Sequence, residues 1–580
     1  MYQRRRSTWL ASPSRRAGRR TVVPLLAVVA LSGGLLTASN AFAGGGGGGG
    51  GGTAKPPAGA VAPFTTATLP DPLGFGALAA QIHGFDDTGF IQGATLAAND
   101  AMCPKTPAER LGGTLTINGG TIVVPCNMVI QMPANTLTWA EFVNGGDLSL
   151  RAGKGSFEMR AVGNVVGASR IAGLLFASQQ SLHTSTGVIT AIDYSTGALS
   201  VDTGGPATVT VTINDPKGRF GRTTLQDGRF SVDDANPTVH AGTGYPMCVP
   251  RTDPTVTGGD DPLCPQANRP KPSTTGQCRN FSVAGIVPPK SGELSLAPPG
   301  QVYCSEWVMP AAPVNGAPTT GMDPRQQAPF EVGDTITFSG TQLKGVSDPT
   351  ISAHTVEANV GIWTMPGTLP SYIAIGAFGV GTADPSATSI NGFATETKDR
   401  IFLEAQTTDV KTPVDIYMTD VDPTTGVVRN RWVTPFAMTG EQNGAVGGGI
   451  TTQNTGPQPQ RARIRATKSP AGLLSQPTRT IRVAQRSLCT PQPPVNDANG
   501  KPVLTALDTC LNGATLAANG LMAGEYTAPT FEFIFPENVK PGDLLVPYDL
   551  WHLPFLRNGE GATTASPIGP SVGPLVPTPW

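Results

Sequence analysis

Val188-Ile189-Thr190-Ala191-Ile192-Asp193, then Ser195-Thr196-Gly197, then Ala198-Leu199-Ser200-Val201-Asp202, is the stretch on which the fold reading turns. β-Branched and aliphatic residues recur at period two on both sides of a short polar turn, which predicts a hairpin. Thr208 to Ile213 follows with the same alternation, so three consecutive short strands form a meander. Further along, Asp334-Thr335-Ile336-Thr337-Phe338-Ser339 and Ile351-Ser352-Ala353-His354-Thr355-Val356 add two more strands of the same kind.

The series Gly187 to Val201, Val209-Thr210-Val211-Thr212-Ile213, Val332 to Gly340 and Ile351 to Val356 resembles the five-stranded OB-like β-barrel modules of exported bacterial proteins, many of them uncharacterised. The resemblance covers about seventy residues and rests on hydrophobic pattern. It implies an OB-like barrel over residues 183–360, with residues 223–328 as a long, disulfide-rich insertion that holds four of the eight cysteines.

Working outward, Thr114 to Val124 reads as two strands around Asn118-Gly119, a strong hairpin signal, within an N-terminal β segment over 64–182. On the other side, Tyr372–Ile375, Ile401–Ala405, Val414–Met418, Val427–Trp432, Arg461–Thr467 and Thr480–Val483 are six short strands. They predict a β-sandwich, Ig-like, over 361–488. Residues 489–562 form a C-terminal β segment containing Phe531-Glu532-Phe533-Ile534-Phe535, and 563–580 are a Pro/Gly-rich tail. Gly93-Ala94-Thr95-Leu96-Ala97-Ala98-Asn99 recurs unchanged as Gly513 to Asn519, one match of common residue types that does not establish a repeat. The expected fold class is therefore mainly β, with abundant Gly/Pro-rich loops.

Composition agrees. Gly 72 and Pro 55 demand many turns, and 14% charged residues are too few to solvate long helices. Lys+Arg 40 against Asp+Glu 41 leaves a net charge of -1, so no general attraction to nucleic acid exists and no nucleic-acid partner is expected. At the N-terminus, seven arginines between Arg4 and Arg20, a largely apolar stretch from Thr21 to Ala38 and Ala41-Phe42-Ala43 match a signal peptide over 1–43. Nine glycines, Gly44 to Gly52, open a Gly/Pro-rich linker over 44–63. Beyond it no run reaches the roughly 18 apolar residues of a membrane helix, so no transmembrane segment is expected after signal cleavage. The product is expected to be secreted or to reside at the cell surface or in a periplasm.

The eight cysteines fit that compartment. Sequence leaves their connectivity open, but neighbours are the economical pairs: Cys103 with Cys126, Cys248 with Cys264, Cys278 with Cys304, and Cys489 with Cys510. No C-x-x-C pair exists, which disfavours a zinc ribbon or finger. His83, His183, His240, His354 and His552 stand singly, without H-E-x-x-H or G-x-S-x-G, so no residue is assigned a catalytic, cofactor or metal role. The expected function is that of an exported, non-catalytic surface or extracellular structural or binding protein, its ligand in the extracellular space or cell envelope unknown. The alternative is an extracellular hydrolase acting on polysaccharide or another polymer. Tyr303 and Trp307, flanking Cys304 in the excursion around Tyr245 to Met309, are the candidate partner contacts.

Overall fold

The computed structural model describes residues 83–97, 108–146, 157–179, 182–272, 302–312, 321–343, 349–381, 389–394, 400–409, 414–421, 428–432, 461–466, 480–485 and 520–533, apart from a few single positions within them. The signal peptide, linker and tail, and Cys103, Cys278, Cys489 and Cys510, lie outside the described residues.

The stretch that reads in sequence only as an N-terminal β segment is a complete barrel. Its strands are β1 (His83–Leu96), β2 (Gly113–Ile117), β3 (Gly120–Val124), β4 (Phe157–Val166) and β5 (Ser169–Gln179). The predicted hairpin supplies β2 and β3, and its turn has Asn118 and Gly119 both at positive φ, 52° and 72°. That is the backbone the Asn-Gly pair favours, and its twist matches the flanking strands. β1 pairs with β2 and β4, β4 with β5, and β5 returns to β3 in parallel, so the sheet closes on itself.

The second barrel is the one expected from sequence. Its strands are β6 (Leu182–Asp193), β7 (Ala198–Asp202), β8 (Val209–Ile213), β9 (Thr335–Gln342) and β10 (Thr350–Ala358). β6 pairs with β7 and β9, β7 with β8, β9 with β10, and β8 with β10 in parallel. This is the circuit of the first barrel, strand for strand and sense for sense.

The likeness extends to single residues. Phe85 faces Gly163 as His183 faces Gly340. Ile91 faces Ile117 just before a bulge in β1, and Ile189 faces Val201 just before a bulge in β6. Val123 lies beside Ile171 in parallel, as Thr212 lies beside Ser352. Just past a second bulge, Gly163 faces Ala172 and Gly340 faces Ala353. A slip of one residue in any pairing would put inward side chains outside and destroy this match. Both bulge glycines are required by close approach: a Cβ on Gly163 would collide with the Ile171 carbonyl oxygen, and one on Gly340 with that of Ser352.

What differs is the connection from the third strand to the fourth. In the first barrel it carries the short hairpin Val129–Gln131/Thr136–Thr138 and helix α1 (Trp139–Asn144). Thr138 caps α1 by accepting from the Glu141 amide, while Glu141 accepts in return from the Thr138 amide. Trp139 and Phe142 are fully buried in the barrel core, and the Trp139 indole donates to the Thr95 carbonyl over 2.9 Å. In the second barrel the connection runs from Asn214 to Asp334 and reaches both cores. Phe230, in the 3-10 turn Gly228–Phe230, packs in the first barrel's core with its ring 5.3 Å from that of Phe157. The neighbouring Arg229 is buried, paired with Asp227 at 2.8 Å, and lies over the Phe157 ring at 4.6 Å. One barrel is thus sealed by residues from the other.

The same excursion fills its own barrel. Phe220, Tyr245, Met247, Val249, Trp307, Met309 and Phe330 belong to one buried cluster with Ile189, Leu199, Val211, Ile336 and Phe338 of the strands. Residues 223–328 are therefore not a loop appended to a finished barrel. Tyr372, beyond the barrels, joins that cluster, and the Tyr245 and Tyr372 rings meet edge to face at 5.0 Å with both hydroxyls donating to the Pro324 carbonyl. Past it, two four-stranded sheets occupy the stretch where a sandwich is expected. Arg461–Ala466, Arg400–Thr407, Ile373–Gly381 and Glu532–Phe533 form one; Val428–Trp432, Val414–Val421, Thr480–Gln485 and Glu525–Pro529 form the other. Each takes an edge strand from beyond residue 489, so the expected boundary between 488 and 489 is crossed by pairing.

Candidate functional site

The excursion of the second barrel is held in shape by buried polar anchors. Cys248 and Cys264 are bonded to each other, as their spacing suggests, with Cα atoms 6.0 Å apart. Asn268, fully buried, donates from its side-chain amide to the Asp323, Gln326 and Gln327 carbonyls and accepts from the Asp323 amide. Arg269 is buried beside it, ion-paired to Asp334 at the start of β9, donating to the Pro329 carbonyl over 3.0 Å and stacked on the Trp307 ring at 5.3 Å. The Arg269 Nε is buried without a hydrogen-bond partner, so the pair is incompletely satisfied, and removing either member would strand the other charge. Asp261 likewise accepts from the Arg251 side chain and backbone amide, tying the two ends of the disulfide loop.

Beside this platform lies a buried carboxyl, Glu331. Glu331 accepts from the Gln266 side-chain amide, and its own backbone amide donates to Asp334 over 2.8 Å. Burial disfavours its charge and pushes its carboxyl up to about 7, against the pull of Gln266 and Arg269. Its proton is therefore held more tightly than that of an ordinary glutamate. Burial first, then the Glu331 charge, raises the phenols of Tyr194, in the β6–β7 turn, to about 12 and of Tyr303 above its ordinary value. The Lys271 ammonium lies over the Tyr303 ring at 5.1 Å. Val302 and Val332, the sequence neighbours of Tyr303 and Glu331, are exposed.

A glycosidase pair needs a second carboxyl across a cleft. Asp334, the acid bonded to the Glu331 backbone amide, has both carboxylate oxygens engaged by the Arg269 guanidinium.

The two candidate contacts separate. Tyr303 is half-buried and lies under the Lys271 ammonium. Trp307 is fully buried in the barrel core, its indole donating to the Met309 sulfur over 3.3 Å, so it is a packing residue and not an exposed anchor. Proximity to a cysteine in the sequence does not distinguish a ring that points outward from one that points inward. Gln266, Lys271 and Glu331 carry no signal in the sequence, because each is an ordinary turn or loop residue until the chain brings distant segments together. Of the other predicted disulfide residues, Cys126 and Cys304 are each disulfide-bonded and buried, and their partners lie outside the described residues. His354, which sequence alternation places in half-buried packing, is 2% exposed, and burial lowers its imidazole to about 4. Among the described residues no helix is long and apolar enough to cross a membrane. Comparison of the chain with protein-family models, curated proteins and solved structures finds no match.

Proposed function

We propose that the chain is an exported, non-catalytic surface or extracellular binding protein, built on two OB-like barrels and presenting its contact surface on the disulfide-tied excursion of the second. The observation that carries this reading is the oxidised state of every described cysteine: Cys248 with Cys264, and Cys126 and Cys304 each in a disulfide. Such bonds persist in oxidising compartments and are rare in a reducing cytosol. The strand circuit supports the OB-like assignment, since a five-stranded closed Greek-key barrel of this kind carries its ligand sites on strand faces and connecting loops. The excursion suits that role because its backbone is fixed from beneath by Asn268, Arg269 and the disulfide, which lowers the entropy lost on docking.

The test is the chemistry of the natural product. N-terminal sequencing of protein recovered outside the cytoplasm should begin near Gly44, and alkylation before reduction should label no cysteine. Recovery of a chain still carrying residues 1–43, with free thiols, would defeat the export reading.

A further inference from the structure

Ser371 stands just ahead of the strand Ile373–Gly381 in one C-terminal sheet, and Gln485 is the last residue of the strand Thr480–Gln485 in the other. Both are fully buried. The Ser371 hydroxyl donates to the Gln485 side-chain carbonyl across 114 residues of sequence, while the other half of that carboxamide, Nε2, is buried with no hydrogen-bond partner. The backbone fixes the two against each other: the Gln485 amide donates to the Gly524 carbonyl over 2.8 Å, and the Gly524 amide to the Ser371 carbonyl over 2.6 Å. The Thr408 amide donates to the Tyr372 carbonyl and the Thr408 hydroxyl accepts from the Tyr372 amide, so their neighbours Asp409 and Ser371 lie on adjoining backbone. Asp409 is also fully buried. Asn135 and Ser231 make the contrasting contact, in which the amide nitrogen donates to the hydroxyl and the hydroxyl gives its own proton to the Gly228 carbonyl.

We propose that Ser371 and Gln485 form an intramolecular ester cross-link. An Oγ lone pair of Ser371 bonds to Cδ of Gln485, and the Cδ–Nε2 bond breaks with its electron pair on nitrogen. The Oγ proton is carried by the Asp409 carboxylate to Nε2, and ammonia leaves. Nothing is oxidised or reduced, and no co-reactant is consumed. Three physical effects favour the step. A buried amide nitrogen without an acceptor costs free energy, and its release as ammonia removes that cost. Holding the hydroxyl on the carboxamide supplies the proximity that an intermolecular ester formation lacks. Burial keeps water from the finished ester, while ammonia is lost to the bulk solvent. The bond joins the two C-terminal sheets beside Tyr372, a member of the second barrel's buried cluster. It does for those sheets what Cys248–Cys264 does for the excursion, and no reductant opens it. Because the step draws on no oxidant, it is independent of the export reading.

Peptide mapping of the full mature chain, reduced and alkylated, tests this directly. In a tryptic digest the peptide Val483–Arg486 should be missing in free form and should appear joined to Gly345–Lys398, the pair lighter than the sum of its parts by one ammonia. Mild alkali should then split the pair and return Val483–Arg486 with the Gln485 side chain hydrolysed to a carboxylic acid. Ser371→Ala should restore free Val483–Arg486 completely. Asp409→Asn should slow its disappearance in freshly made protein by about a hundredfold, the usual effect of a positioned acid–base group. Free, unmodified Val483–Arg486 recovered from the parent chain overturns the cross-link, and that result needs no variant to fold. Loss of the free peptide that persists in Ser371→Ala places the bond on another residue and overturns it equally. Cross-linking at the parent rate in Asp409→Asn removes Asp409 from the step.

Discussion

The two barrels share every strand pairing and both bulges, and differ in what lies between their third and fourth strands. In the first that connection is a hairpin and a six-residue helix whose Trp139 and Phe142 enter the core. In the second it is an excursion of more than a hundred residues that fills its own barrel, seals the other with Phe230, and is tied by the Cys248–Cys264 disulfide. The difference teaches that the circuit of five strands defines the fold, while a single connection is free to grow into the element that packs, staples and binds. Loops positioned by a rigid scaffold are where function accumulates.

The likeness of the circuits is broken or upheld most sharply at the bulge glycines. Gly163→Val and Gly340→Val each force a branched side chain against a facing backbone carbonyl, and each should cost well over about 4 kcal/mol, leaving little folded protein. Circular dichroism of the two variants should fail alike. A tolerated valine at one position and not the other would show that the bulges are not equivalent.

Dependence of the first barrel on the second is tested by Phe230→Ala. A cavity among Phe142, Phe157 and Trp139 should cost about 3 to 4 kcal/mol. Hydrogen exchange should rise in β4 and β5, remote in sequence from the substitution; confinement of the change to residues near 230 would refute the seal. The disulfide, by contrast, belongs to the second barrel alone. Cys248→Ser with Cys264→Ser should lower stability by about 3 kcal/mol, as closure of a loop of that length implies, without raising exchange in β1 to β3.

The smallest expected effect is in pH dependence, and it too is lodged in the second barrel. His354 has a folded value of about 4, below that of a free imidazole, so the unfolded chain binds the extra proton. Its stabilising contribution is present above about pH 6.5 and is lost as pH falls toward 4. Glu331 is raised to about 7, so its contribution is present below the ordinary glutamate range and is lost as pH climbs through 7. Urea denaturation across pH 4 to 8 should show His354→Leu flattening the acid side and Glu331→Gln flattening the neutral side. Identical pH profiles for the variants and the parent would contradict both burial arguments.

Much of the second barrel is legible in the amino-acid sequence, and less of the first. Ile189, Leu199 and Val211 fall on a clean period-two pattern, and Ser195-Thr196-Gly197 marks the turn between the strands that carry them. In the first barrel only the Asn118-Gly119 hairpin is so marked. β1 contains Gly84, Gly89 and Gly93 with Asp86 and Asp87 among its apolar residues, and β4 and β5 contain Gly163 and Gly173, so their alternation is interrupted where the strands bend. Glycine reads as a breaker in sequence and acts as a bulge in the sheet. The local disulfide Cys248–Cys264 follows from spacing, but the inward turn of Trp307 and the pairing of Gln266 with Glu331 depend on contacts between distant segments, which no local pattern encodes.

The claim that the excursion is the second barrel's core on one side and its contact surface on the other is tested most directly by deleting residues 246–308, bridging the ends with a short Gly/Ser linker, and following unfolding by near-ultraviolet circular dichroism and hydrogen exchange. The deletion removes Met247, Val249 and Trp307 from the buried cluster. Loss of the cooperative transition and of protection in β6 to β10 is the predicted result. A shortened chain that keeps both would show that the barrel closes without its excursion and would contradict the account.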